Sequence, residues 1–329
     1  MEFRTNISPL SSPFRLSLQS YVVTIGSCFA DVMGTRLYHN KLKVLVNPYG
    51  TVFNPISLAQ LLELSLNQQT INPDRFVQVQ DYWYHYDFHS RLSASTQEEL
   101  TTKLENAIQQ TSSFLKKADF LILTLGTSII YQLISDQQVV NNCHKVSGQN
   151  IFTKRMLSET EILSALENAF SKLVVNNPNL KIILTVSPVR HIKDTLILNS
   201  ASKSLLRVVC HHLIERFSNI SYFPAYEIMM DDLRDYRFYK ADMIHPSEVA
   251  EEYIWQLFIN TYIDKSMLHF LQEWAKITQA LSHRPMREQS ESYRQFLLNT
   301  EEKIRKWESE TDVSEELNEI SNRIKKLTV

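Results

Sequence analysis

Short apolar runs alternate with longer amphipathic stretches along most of the chain. Tyr21-Val22-Val23-Thr24-Ile25 is apolar and β-branched, stops at Gly26, and reads as a buried strand. Phe120–Leu125, ending at Gly126, and Lys181–Val186, ending at Ser187-Pro188, repeat that pattern, and Ser221–Tyr226 reads as a last strand. Helical spacing is predicted for Phe29–Tyr38, Ile56–Leu66, Ser95 to about Lys117, Ser158 to about Val174, and about Ser200 to Phe217. Ser95 with Glu98, and Ser158 with Glu161, have the spacing of capping boxes. Pro246 suits the first turn of a helix continuing to about Tyr262. Strands alternating with helices predict an α/β fold, a parallel sheet in three layers with right-handed crossovers.

The pattern breaks in four places. Residues 1–20 carry Pro9, Pro13 and several serines and read as an extended arm. Asn47-Pro48 through Asn54-Pro55 holds paired Asn-Pro steps that forbid regular helix and predict an ordered loop. Tyr82–His89 is crowded with aromatics and predicts a hairpin or loop beside a cleft. From Lys265 onward the character changes: Leu268, Leu271, Trp274 and Ile277 sit at helical spacing until Arg284-Pro285 interrupts them. Two charged amphipathic helices follow, one carrying Phe296, Leu297 and Ile304, the other Leu317, Ile320, Ile324 and Leu327. The chain therefore divides into an arm at 1–20, an α/β domain at 21–263 and a helical C-terminal extension at 264–329. With so few heptads the extension is expected to pack on the core, oligomerisation through it being the alternative.

Composition narrows the possibilities. The 329 residues suffice for a sizeable core, and 34 basic against 36 acidic residues leave a formal charge of −2. No basic field points to nucleic acid or to a membrane surface. No apolar run reaches transmembrane length, and the first residues lack the basic start and apolar core of a signal peptide. Cys28, Cys143 and Cys210 show no paired spacing, which fits a reducing, cytoplasmic setting. With five glycines in the chain there is no phosphate-loop or dinucleotide fingerprint, and no cofactor is expected. His85, His89, Cys143, His144 and His191 lack the tight paired spacing of a zinc site, so no metal is expected either.

Two short motifs carry the chemistry. Gly26-Ser27-Cys28 sits between strand and helix, where an α/β enzyme presents a small nucleophile. Unpaired N–H groups at a helix start favour a thiolate and an oxyanion. Near the far end, Asp242-Met243-Ile244-His245 offers an imidazole base and, one turn earlier, a carboxylate to fix its tautomer.

Together these motifs resemble the SGNH (GDSL-type) hydrolase superfamily, and the string Gly26-Ser27-Cys28-Phe29-Ala30 is similar to the motif that names its GSCFA family. The resemblance covers about residues 20–262. It implies a flavodoxin-like three-layer sheet and an acyl hydrolase or acyltransferase. Cys28 then takes the superfamily's serine position and Ser27 the aspartate's, either being a candidate nucleophile, with His245 as base and Asp242 orienting it. Gly50 is similar to the second-block glycine and would lend its N–H to an oxyanion. Gly126-Thr127-Ser128 stands where the third block has Gly-x-Asn; the asparagine is missing, so Thr127, Ser128 or Asn54 would donate instead. Asn141–Lys145 and Ser187–His191 recur in the family pattern and imply a pocket wall of His144, Lys145, Arg190 and His191. Arg190 or Lys145 would hold a substrate carboxylate or phosphate. The implied substrate is a small molecule, an O-acylated carbohydrate or an acyl thioester. A binding protein that keeps the cleft without turnover is the alternative.

Overall fold

A computed structural model describes residues 5–7, 9, 12–67, 70–146, 150–286 and 289–327. Met1 to Arg4, with Ser8, Leu10 and Ser11, part of the expected arm, lie outside the described residues. The chain opens with β1 (Tyr21–Gly26), α1 (Cys28–His39), β2 (Lys43–Val46) and α2 (Pro55–Asn67). A hairpin of β3 (Phe76–Val79) and β4 (Tyr82–His85) precedes α3 (Gln97–Leu115) and β5 (Phe120–Leu125). Then come β6 (Ile129–Leu133), β7 (Val139–Val140), β8 (Phe152–Met156), α4 (Glu159–Asn176), β9 (Lys181–Val186), α5 (Thr195–Arg216) and β10 (Ile220–Tyr222). The single turn α6 (Ala225–Glu227) leads to α7 (Glu248–Tyr262), α8 (Lys265–Ser282), α9 (Glu291–Arg305) and α10 (Ser314–Lys326).

Five strands form one parallel sheet in the order β10-β9-β5-β1-β2. Counted along the chain, that is 2-1-3-4-5, the order of flavodoxin-like sheets, which reverses direction between β1 and β5. Alternate side chains of each strand enter two separate cores. Val23, Ile25, Leu121, Leu123, Leu125, Ile182 and Leu184 face α2, α3, α4 and α5. Val22, Phe120, Ile122 and Ile183 face α1, α7 and the C-terminal helices. Being covered on both sides explains why the central strands are predominantly apolar, each with one buried threonine: Thr24, Thr124 and Thr185.

Several local expectations need correction. The four-residue edge strand β2 and the antiparallel sheet β7-β6-β8 were not anticipated from the sequence. The last strand stops at Tyr222, before Pro224 and α6, and α5 begins at Thr195. Helix α3 is capped by Thr96, whose hydroxyl accepts from Glu99 N–H; Ser95 bonds the Glu99 carboxylate from one residue outside. Pro246 lies one residue before the cap of α7, bridged to Tyr239, and Ser247 does the capping. By contrast, Ser158 and Glu161 close a full capping box at α4.

The C-terminal helices bury their apolar faces inside this chain. Met267, Phe270, Leu271, Trp274 and Ile277 join Leu297, Ile304 and Ile320 in the core beside α1. The Trp274 indole N–H donates to the His39 carbonyl at the end of α1, 3.1 Å away. Leu16 is threaded between α7 and α8: its N–H donates to Tyr262 O at 2.7 Å and its carbonyl accepts from Asp264 N–H at 3.0 Å. Among the described residues no helix is long and apolar enough to cross a membrane.

Candidate active site

The point where the strand order reverses is where doubly wound sheets hold ligands. Here it is built on a close approach. Gly26, at φ 143°, pairs with Thr124 so tightly that a Cβ would stand 2.2 Å from the Thr124 carbonyl oxygen. The Gly26 N–H donates to Asn47 Oδ1 at 2.9 Å, and Asn47 Nδ2 donates to Asp31 Oδ2 at 2.8 Å, which ties the 47–55 loop to the first turn of α1. Ser27 is fully buried and caps α1, its hydroxyl accepting from Phe29 N–H. Cys28, the first residue of α1, is partly exposed.

The thiol does not have the lowered pKa that its helix-start position suggests. Burial, and after it the Asp31 carboxylate, push Cys28 up from its ordinary value, against the opposing pull of Lys203. Desolvation wins because the thiolate loses more hydration than the first-turn N–H groups return.

The base and its orienter lie on a tight loop. The His245 Nδ1–H donates to Asp242 Oδ2 at 2.7 Å, and the N–H groups of Ile244 and His245 donate to Oδ1 at 2.9 and 3.0 Å. These bonds, the His245 amide first, hold the Asp242 carboxyl well below the usual range. With Nδ1 protonated, Nε2 carries the lone pair. Arg190, just past β9, fixes this loop: its N–H donates to Ile244 O at 3.2 Å and Nη1 to Met243 O at 3.4 Å. Its guanidinium sits 3.9 Å from the Tyr239 ring centre.

Between the two motifs stand Lys203 and His191. Lys203 reaches from α5 to the sheet edge, where Nζ donates to Gly126 O at 2.6 Å and to Ser187 O at 2.7 Å. Burial lowers its pKa to about 7, countered by Cys28. His191 packs edge-on against Phe53 at 5.4 Å, with Nε2 buried and unpaired. Burial first, then the charges of Lys203 and His245, lower its pKa to about 3. Cys28 thus lies in the field of Lys203, and His191 in the fields of Lys203 and His245.

The other sequence candidates have defined places. Gly50, at φ 72°, gives its N–H to Asn47 O at 2.8 Å. Asn54 caps α2, accepting from Ser57 N–H at 2.8 Å. Thr127 and Ser128 are buried around Ser202: Ser128 N–H donates to its hydroxyl at 2.7 Å, and the two hydroxyls lie 3.0 and 3.1 Å from it. His144 engages both ring nitrogens, Nδ1 with Ser90 Oγ and Nε2 with His85 O, each at 2.9 Å, and burial takes its pKa to about 4. Lys145 is exposed beside it. Arg190, Asp242 and His245 are thus joined at one loop, with His191 in the field of His245, and Cys28 is in the field of Lys203, while Gly50, Asn54, Thr127, Ser128 and His144 have polar groups committed to the fold. Among the described residues no group of three His, Cys, Asp or Glu side chains is arranged to hold a metal ion.

Lys203 escapes a sequence reading, since a lysine in a helix normally faces water. A signal exists nonetheless. The buried stripe Leu206, Val209, Cys210, Leu213 of α5 continues backwards through Lys203, Ser202 and Asn199, three polar residues on an apolar face.

The fold defines an α/β protein built on a five-stranded parallel sheet, with Cys28 just past the end of β1. The model of the GSCFA family matches residues 21–258, and that of the GSCFA domain protein, C-terminal domain, matches 274–326. The chain belongs to the GSCFA family. No curated protein matched it. It is similar to a solved structure described as a proposed platelet activating factor from Streptococcus pneumonia, at 12% identity and a TM-score of 0.38, over 73% of this chain and 82% of that one. So loose a likeness has no bearing on mechanism.

Proposed function

We infer that the chain is an SGNH-like acyl hydrolase or acyltransferase acting through Cys28. The observation that carries this reading is the 2.7 Å bond from His245 Nδ1 to Asp242, on a loop that Arg190 ties to the carboxyl end of β9. In this reading Nε2 of His245 serves proton transfer at the acyl centre, and Asp242 fixes the tautomer. His245 takes the Cys28 thiol proton as sulfur attacks the carbonyl, and returns it to the departing alcohol or thiol when the acyl–donor bond breaks; water or an acceptor then resolves the thioester, releasing Cys28. Cys28 is favoured over Ser27 because Ser27 is fully buried and its hydroxyl is occupied at the helix cap. The Cys28 N–H is the candidate oxyanion donor in the first turn of α1, since the Phe29 and Ala30 N–H groups both donate to Ser27 and the Gly50 N–H is used within its own turn. The substrate is an acyl ester, with an O-acylated carbohydrate as the first class to try and an acyl thioester as the second.

One observation favours the alternative, a binding protein with the same cleft: the Gly50 N–H and the Thr127 and Ser128 hydroxyls, the natural second and third oxyanion donors, are all engaged by the fold. Covalent labelling separates the two. The chain is incubated with p-nitrophenyl acetate or an acetyl thioester, quenched in acid, and the adduct located by mass spectrometry. An acetyl group on Cys28 that disappears in Cys28→Ala and stops turning over in His245→Ala supports the enzyme. No adduct and no turnover with either acyl donor would leave the binding protein.

A further inference from the structure

Asn47 is bonded through every polar atom it has, and the reaction above gives it no task. It is fully buried. Its side chain bonds residues on either side of the nucleophile. Oδ1 accepts from Gly26 N–H at 2.9 Å, while Nδ2 donates to Asp31 Oδ2 at 2.8 Å and to Gly26 O at 3.4 Å. Gly26 stands two residues before Cys28 and Asp31 three after it. One amide therefore spans both backbone groups of Gly26 and the first turn of α1, with Ser27 and Cys28 between them.

The main chain of Asn47 draws in the surroundings. Its N–H donates to Thr24 O at 2.8 Å, and its carbonyl accepts from Gly50 N–H at 2.8 Å and from Arg91 Nη2 at 2.6 Å. Arg91 Nη1 lies 3.6 Å from Asp31 Oδ1, which closes a ring of Asn47, Asp31 and Arg91. The backbone is unusual as well. A residue before proline is steered to extended conformations, yet Asn47, before Pro48, is held at φ 42°. Asparagine is among the few residues that accept that region. Such backbone persists where its surroundings overdetermine it, and it clusters at functional sites. For a turn after β2 alone, glycine would serve. The amide is needed for its bonds to Gly26 and Asp31.

We propose that Asn47 is a positioning residue for Cys28. By fixing both backbone groups of Gly26 and the turn at Asp31, its amide aims the Cys28 N–H and Sγ at one acyl carbonyl. Sulfur meets the carbonyl carbon while the N–H receives the developing oxyanion. Neither alignment holds if the backbone entering Cys28 is free to rotate. This deepens the reading of Cys28 as nucleophile and rests on it.

The test compares two reactions of the same sulfur, each read by mass spectrometry per intact Cys28. Acylation by p-nitrophenyl acetate develops an oxyanion; alkylation by iodoacetamide does not. Asn47→Gly leaves the left-handed backbone available and removes the amide. It should slow acylation about 30-fold with KM nearly unchanged, and alter alkylation less than about threefold. Asn47→Asp still accepts from Gly26 N–H but turns a second carboxylate toward Asp31, and should slow acylation about tenfold. Adding Asp31→Asn returns an N–H to that contact, donor and acceptor exchanged, and should recover most of the loss.

Wild-type acylation in Asn47→Gly, with only a lower melting temperature, would overturn the proposal, as would equal slowing of both reactions. Where the glycine variant does not fold, the exchange decides: full acylation in Asn47→Asp, or no recovery in the double variant, overturns it too. Should neither Asn47 variant fold, Asp31→Ala frees one end of the amide at a part-exposed position. Acylation that falls relative to alkylation then supports the proposal, and an unchanged ratio overturns it. The enzyme reading fails separately: wild type that is alkylated at Cys28 but never acylated there sinks it before any variant is made.

Discussion

Asp242 holds His245 by two separate bonds: the carboxylate accepts Nδ1–H at 2.7 Å and the backbone N–H of the same residue at 3.0 Å. Ring orientation and loop conformation are thereby set by one side chain, and Met243 is held at φ 58° between them. An asparagine could accept the backbone bond but would turn an N–H toward Nδ1 or leave it with one fewer acceptor. Asp242→Asn is therefore expected to lower p-nitrophenyl acetate turnover by about 10²–10⁴-fold, the usual weight of a general base. Its melting temperature should stay close to wild type, because the loop is exposed. Undiminished turnover in a folded variant would count against His245 as the base.

Gly26→Ala tests the corner on which Cys28 stands. A methyl group would lie 2.2 Å from Thr124 O and 2.8 Å from Thr124 N, with φ in a region that alanine avoids. Both obstacles are backbone, so relief requires moving β1 against β5. Chemical denaturation should show a loss of about 3 kcal/mol or more, or no folded protein. A loss under about 1 kcal/mol would mean the strand pairing has slack it does not display.

Acid stability should report buried histidine. The His144 pKa falls to about 4 from an ordinary 6.5 because burial opposes its charge. Between those values the unfolded chain binds a proton that the folded chain refuses, so stability rises with pH across that window and is lost as pH falls through it. Unfolding free energy measured from pH 7 to 4 should therefore decline, and His144→Asn should flatten the decline. The same slope in the variant would show that His144 takes up its proton in the folded protein as readily as in the unfolded chain.

Trp274→Ala tests how the C-terminal helices are held. The indole is 1% exposed, stacks on Phe270 at 5.4 Å and donates to His39 O. Its removal leaves a cavity and an unmatched carbonyl, at a cost of about 3–5 kcal/mol by denaturant titration. A change near zero would mean that this region contributes little to the α1 side of the core.

Legibility followed burial and length. β1, β5 and β9 could be read because strands covered on both faces are near-continuous apolar runs. α4 could be read because Ser158 and Glu161 announce a cap. The one-residue slip at Ser95 arose because Thr96 with Glu99 fits the same template as Ser95 with Glu98. β2 and β7 are too short, and β8, Phe-Thr-Lys-Arg-Met, too polar, to stand out from loop. At the site, Cys28 and the Asp242–His245 pair were visible because their spacing is local. Lys203 was not, because its partners are two carbonyl oxygens that only the folded sheet brings together. Nor does a sequence reveal whether a glycine's N–H is spare: Gly50 spends its own on Asn47, within its turn.

Leu16 is held from both sides by residues more than two hundred positions further along the chain, accepting from one and donating to the other across the join of α7 and α8. On a ribosome, that socket does not exist until residues 262–264 have emerged. The segment leading into β1 therefore lacks these two bonds until α7 and the start of α8 have been made. Assembly of this protein is in that respect a closing of a clasp, with the early half waiting for a late one.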